Sequence, residues 1–227
     1  MSKSGIPNSS LGFINSPGAV VSLKPRPGNP FPLEGADGSS VRVGSMIQSD
    51  YNILGPLVND GGLVFPYTPT LQVGHQANYG TYDITHTIYQ PQYYISTANP
   101  SISITANFTS NDLEEARHTA AAIQFLKTCT KSDFGEQNPT TAGTPPPILN
   151  LRVYAKNALH AQATPVVVRS MNYTMPEDVN YVECEAGVVP TMLLLAVELS
   201  VQLSPATVRK KFNIADFSQG NLLGGFN

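Results

Sequence analysis

The side chains able to do chemistry are few and scattered. Four histidines stand at His75, His86, His118 and His160, two cysteines at Cys129 and Cys184, and the densest carboxylates are Glu177, Asp178, Glu183 and Glu185. A zinc site asks for ligands at short fixed spacings, such as two histidines four apart on one helix face or repeated CxxC steps. None of these residues meets such a spacing, so each histidine reads as a surface or interface residue. The cysteines form no CxxC pair and read as reduced and structural. The acidic cluster flanks a turn at Pro176 and reads as a solvated face, with a cation site as its functional alternative. Glycine runs such as VGSM, GPLVNDGG and GNLLGG match neither the GxxxxGK[ST] phosphate loop nor the GxGxxG turn. No GxSxG elbow presents a serine nucleophile. The pattern names no catalytic residue, no cofactor and no metal.

Composition narrows the class further. The chain has 227 residues, 41% of them hydrophobic, enough for one core. Charged residues make up only 13%, about half the usual quarter. With a net charge of −3 there is no broad basic surface of the kind that reads duplex DNA. The absence of Trp and the 19 prolines leave a surface of Thr, Ser, Asn, Gln and Gly, as is common where surface packs against other subunits. The amino-terminal stretch lacks the apolar core of a secretory signal, and no run approaches the ~20 apolar residues of a membrane span. The expectation is a cytosolic protein without a membrane partner, unless an assembly carries it elsewhere.

The elements are clearest between Pro100 and Lys131. Ile102, Ile104, Ala106 and Phe108 alternate with Ser101, Ser103, Thr105 and Asn107, the period-two mark of a half-buried strand. Thr109, Ser110 and Asn111 then offer caps, and Asp112, Glu114 and Glu115 put negative charge in a first helical turn, predicting a helix over about 111–130. Its apolar residues fall on two sides. Leu113, Ala116, Ala120 and Ile123 follow one face, while Ala122, Phe125, Leu126 and Cys129 gather nearly opposite. A helix apolar on two faces needs two neighbours. One is its own sheet, and the second is read as another copy of the chain, with Ala122, Phe125, Leu126 and Cys129 as the inter-subunit face. The alternative is a helix buried all round within one chain.

The remaining chain reads as strands between polar loops. Residues 1–62, rich in Pro, Gly, Ser and Asn, form an extended arm ordered by lying on something else. Residues 63–227 form the β domain. Within it, Tyr82, Ile84, His86 and Ile88 alternate as a strand before Pro91, with a second extended piece after it. Residues 132–147 make a long Gly- and Pro-rich loop. Strands follow across ILNLRVYA, with Leu149, Leu151 and Val153 on one side, over Val166–Thr174 and, longest, across MLLLAVELSVQLSP. The fold class is mainly β (α+β): a small closed or nearly closed barrel or sandwich with one helix plugging its side.

The blocks FPYTPTLQVGHQANYG, SISITANFTSNDLEEARHTAAAIQFLK, VRSMNYTMPEDVNYVE and VPTMLLLAVELSVQLSP together resemble the baseplate tail-tube initiator and tube-cap proteins of contractile-tailed bacteriophages, over about Leu63 to Leu223. The resemblance implies a tail-tube β-sandwich with a flanking helix, six copies of which join as a hexameric ring. Such a ring sits on the spike hub proteins of a virion baseplate and templates the tail-tube protein or a second initiator ring, with tape measure and DNA passing through its lumen. Assembly would take place in the host cytoplasm. It implies that Ser101, Ser103, Thr105 and Asn107 face that channel, where uncharged residues let DNA pass because phosphate affinity scales with Lys and Arg contacts. The arm, the 132–147 loop and the carboxyl tail are then contacts to hub or next ring. The arm favours an initiator or cap over a bulk tube or injection-system tube subunit. The competing class is a small β-barrel ligand-binding domain or enzyme using Glu177, Asp178 and His160.

Overall fold

The alternating segment and the long hydrophobic strand near the carboxyl end meet at the centre of the molecule. In the computed structural model, residues 21–26, 53–132, 143–153, 163–211, 215, 218 and 219 are described. In chain order they form β1 (Val21–Pro25), α1 (Gly55–Asp60), β2 (Leu63–Val64), β3 (Thr70–Gly74), β4 (Ala77–Thr81), β5 (Gln92–Thr97) and β6 (Ser101–Thr109). Then come α2 (Leu113–Cys129), β7 (Leu149–Val153), β8 (Thr164–Thr174), β9 (Tyr181–Cys184), β10 (Gly187–Pro190), β11 (Met192–Val201) and α3 (Pro205–Lys211). The fold is mainly β, with an antiparallel sheet of seven strands among the described residues, ordered β2, β1, β7, β8, β11, β6, β3. β11 is its spine, pairing with β6 from Met192 opposite Thr109 to Ser200 opposite Ser101, and with β8 on its other side.

Chain geometry forces this sheet to curl. β2 and β3 are its two edges, yet only residues 65–69 separate them, and Phe65 still donates its N–H to the Val21 carbonyl (3.1 Å). Six backbone steps from Val64 to Thr70 reach ~22 Å at most. A flat seven-stranded sheet would hold its edges ~29 Å apart. The sheet is therefore rolled toward closure, with the 65–69 segment bridging its mouth. Phe65 meets Phe108 edge to face at 6.1 Å, and the Tyr67 hydroxyl lies 3.0 Å from Thr109 Oγ1, pinning the bridge to β6.

The concave face is where the apolar residues go. Ile102, Ile104, Phe108, Leu193, Leu195, Val197, Leu199, Leu149 and Leu151 form one cluster with Ala121, Ala122, Phe125, Leu126 and Cys129 of α2 and Leu57 of α1. Helix α2 begins within two residues of its expected start: Glu115 accepts from the Asn111 N–H at 2.8 Å, reaching back as a capping-box carboxylate does, and Glu114 adds charge in the first turn. The buried Ser110 hydroxyl donates to Thr119 Oγ1 (3.1 Å) and fixes the strand-to-helix corner.

Two sequence expectations are corrected. Ala122, Phe125, Leu126 and Cys129, read as a face for a neighbouring copy, are each no more than 6% exposed and belong to this chain's own core. They are the residues that fill the curled sheet. The other side of α2 is covered from within as well: Ala116 and Ala120 pack against Val182, Cys184 and Val189 of the β9–β10 hairpin. The division at residue 62 also fails. Val21–Pro25 is an interior strand, paired to β2 and along its full length to β7, with Val21 and Leu23 buried. Gly62 turns α1 into β2 at φ 144°, 2.5 Å from the Leu23 carbonyl where a Cβ would sit, a position open only to glycine. Residues 1–20 and 27–52 of the arm, 133–142 of the long loop, His160 and most of the carboxyl tail lie outside the described residues.

His118 lies in this interior, 2% exposed and stacked on Phe108 at 6.1 Å, its Nε2 without a hydrogen-bond partner among the described residues. Burial pushes its imidazole down from 6.5 to about 4, so it is folded in as a neutral ring. Between those values the unfolded chain binds the extra proton, so its effect is nil above pH 6.5 and grows as pH falls toward 4. Replacing His118→Leu should remove roughly 3 kcal/mol of the stability lost over that interval, measured by urea unfolding at pH 7 and pH 4. Leu126→Ala should destabilise the monomeric fold itself by about 3 kcal/mol; a variant as stable as the parent but deficient only in association would restore the inter-subunit reading.

Candidate functional site

The chemistry-bearing residues do not converge. His75 is exposed after β3, His86 is exposed at the tip between β4 and β5 with φ 63°, and His118 is interior. Glu177 and Asp178 are exposed in the bend between β8 and β9, Asp178 at φ 59°. Among the described residues no group of three or more His, Cys, Asp or Glu is placed to hold a metal ion. Among them, too, no helix is long and apolar enough to cross a membrane. Cys129 and Cys184 are both free and buried, and burial pushes the Cys129 thiol up to about 12, which keeps it unreactive.

The acidic cluster divides by partner. Glu185, in the turn between β9 and β10, accepts from Arg117 Nε (2.8 Å) and Nη2, a two-pronged ion pair that straps the hairpin to α2. The side-chain hydrogen bond from Arg117 holds the Glu185 carboxyl down at about 2. Glu183 is exposed on β9 and makes no ion pair among the described residues. This part of the cluster is structural.

The convex face of the sheet gathers Ser101, Ser103, Thr105 and Asn107 on β6, with Ser101 and Asn107 exposed and the middle pair half-buried. Register places Gln72, Ser103, Glu198 and Ser170 across one row and Thr70, Thr105, Ala196 and Asn172 across the next. These two rows are small and polar, while the same face also exposes Leu194 and Met192 on β11 and Arg152 on β7. Glu198 is the charge in those two rows, accepting from the Ser170 hydroxyl at 3.0 Å.

A second surface was not legible as such in the sequence. Residues 82–88, expected as a strand, instead form the tip of a hairpin made by β4 and β5. These strands pair only with each other, and none of their residues joins a hydrophobic cluster among the described residues. Yet Tyr79, Tyr82, Ile84, Ile88, Tyr89, Tyr93, Tyr94 and Ile95 are all exposed, Ile88 completely. Five of the chain's ten tyrosines fall between positions 79 and 94. That density, with apolar residues at both odd and even positions, was the available signal. A half-buried strand keeps them to one parity. Eight side chains, each presenting about half or more of the ~150–250 Å² typical of large residues, expose on the order of 1,000 Å², beyond the few hundred usual on a monomer.

No family model and no curated protein matches the chain. A solved structure described as "Tail of empty GTA particle computed with helical refinement, C6 symmetry" is similar over 59% of this chain and 81% of its own, at 10% identity and a TM-score of 0.26. A likeness of that depth carries no argument about what the chain does.

The strap over α2 is open to a direct check. Glu185→Gln should raise the labelling rate of Cys184 by a thiol reagent a few-fold at neutral pH, because the β9–β10 hairpin then lifts more often. Cys129, on the opposite side of the helix, should label as slowly as before by peptide mass mapping. In the parent chain the ion pair should persist through mild acid and release Cys184 only as pH falls below about 4.5 toward about 2.

Proposed function

We propose that the chain is a structural subunit that acts by assembling with copies of itself, as a ring component of a phage-type tail, and performs no catalysis. The observation that carries this is the β4–β5 hairpin. A two-stranded hairpin is marginal by itself in water, and this one presents an aromatic surface with no intramolecular cover among the described residues. Such a patch is sized for an interface, since each partner in a standard one contributes about 800 Å².

The block resemblance supports the finer reading of a hexameric ring on a spike hub, starting or capping a tail tube. In that arrangement the small polar rows around Ser103 and Thr105 line the lumen. Glu198 is the charge within those rows and a carboxylate repels passing phosphate, with Arg169 at the adjoining bulge of β8 as the nearby cation in register. Helix α2 offers ring closure little, since Ala116, Ala120, Ala122, Phe125, Leu126 and Cys129 are all packed within the chain.

Light scattering on the purified full chain across a concentration series, with negative-stain imaging, tests the reading. Closed rings of six are expected. A protein that stays monomeric at every concentration would overturn self-assembly. One that polymerises into tubes without any hub protein would keep the assembly role and exclude the initiator assignment.

A further inference from the structure

Resting on that self-association, we infer that the β4–β5 hairpin is a wedge, seated between two other copies of the chain with one copy against each of its faces. Its register sorts its aromatic residues onto both sides. Tyr79 stands opposite Tyr94, their rings 5.9 Å apart and nearly perpendicular on one face. On the other, Tyr93 lies across Gly80, so closely that a Cβ there would come within 2.6 Å of the ring, and Tyr82 packs against it at 4.5 Å. Alternation along the strands makes these two clusters opposite faces of one ribbon. All four tyrosines are more than 40% exposed.

A hairpin that lies down on one partner needs one apolar face and keeps a polar one toward water, as half-buried antiparallel strands do. Two aromatic faces serve a ribbon covered on both. The tip adds Ile84, Ile88 and Tyr89 beyond the paired region. On the order of 1,000 Å² of large side-chain surface is more than one partner of a standard interface contributes, and suits two contacts sharing one element. Charge also fits another copy of this chain. Over residues 77–97 the ionisable acid is Asp83, already accepting from Gln90 Nε2 at 2.9 Å, and Lys, Arg and Glu are absent. A strongly charged partner would find little to pair with, whereas the convex sheet face of this chain offers the small polar rows around Ser103 and Thr105 with exposed Leu194 and Met192 beside them as apolar ground for the rings. Because each wedge touches two copies, assembly passes beyond the dimer.

The absence of Trp makes the test clean. Tyr94→Trp and Tyr93→Trp, made singly in the full chain and checked for parent-like circular dichroism, each report one face. Emission and acrylamide quenching are read below and above the association concentration found by light scattering. Both reporters should shift to shorter wavelength and lose quencher access on assembly. Tyr79→Ser and Tyr82→Ser, which thin one face each, should each weaken growth past the dimer by about tenfold or more. An assembly in which one reporter stays solvent-exposed overturns the wedge and leaves self-association standing. A monomer with both reporters exposed at all concentrations overturns self-association itself. A monomer with both shielded would place the chain's own residues on the hairpin and overturn the wedge.

Discussion

One helix filling one rolled sheet is the constraint on which the rest depends. With residues 65–69 tying the outer strands together, the sheet has a deep concave side and, among the described residues, no second full sheet to close it. α2 is the insert. Its core-facing residues combine bulk at Phe125 and Leu126 with small volume at Ala121, Ala122 and Cys129, the mix that lets a cylinder approach a curved strand layer without voids. Hydrophobic burial there is all-or-none in character. Truncating any large member leaves a hole that the stiff sheet cannot collapse to fill.

That constraint also decides where partners can bind. Because α2 is covered by the sheet on one side and by β9–β10 on the other, held through Arg117 and Glu185, the helix offers little to a neighbour. Among the described residues, what remains is the convex face of the sheet and the hairpin that leaves the sheet after β3. The first is rigid, set by the long pairings of β11 with β6 and β8. The second is held chiefly by its own cross-strand tyrosine contacts. The molecule thus pairs a body held by its core with one aromatic ribbon that stands apart from that core.

How far the sequence revealed this follows from which signals were local. β6 and β11 were legible because strict alternation is a statement about neighbours in the chain, and the start of α2 was legible because caps and first-turn carboxylates act within a few residues. The two-sidedness of α2 was legible too, but its cause was not. Nothing in the spacing of Ala116 and Ala120 says whether Val189, some seventy positions on, or another molecule lies across them. β1 was hidden for a similar reason: VSLKP sits among prolines and glycines, and only its pairing with β7 across a long loop makes it a strand. The hairpin failed in the opposite sense. Tyr82, Ile84 and Ile88 do alternate, but alternation there does not report a buried face, because among the described residues this part of the chain has no core beneath it.

On the proposed assembly, the choice of tyrosine in that ribbon follows from a double life. Until a partner covers it the ribbon faces water, and a net charge of −3 on 227 residues gives the chain little electrostatic protection against sticking at random. A ribbon of Leu and Phe would bury as much area but would aggregate during the wait. Tyrosine offers the same ring area with a hydroxyl that water can satisfy, and loses few rotamers when it is finally buried. The Tyr94 hydroxyl already sits 2.6 Å from Thr97 Oγ1, so its ring is partly oriented before any partner arrives. Pre-ordering of this kind lowers the entropy that association must overcome. The same logic explains Gly80. With no side chain there, the Tyr93 ring lies flat on the backbone and stiffens a two-stranded element that would otherwise fray. The element that looks least supported is thus internally braced by the residues it presents.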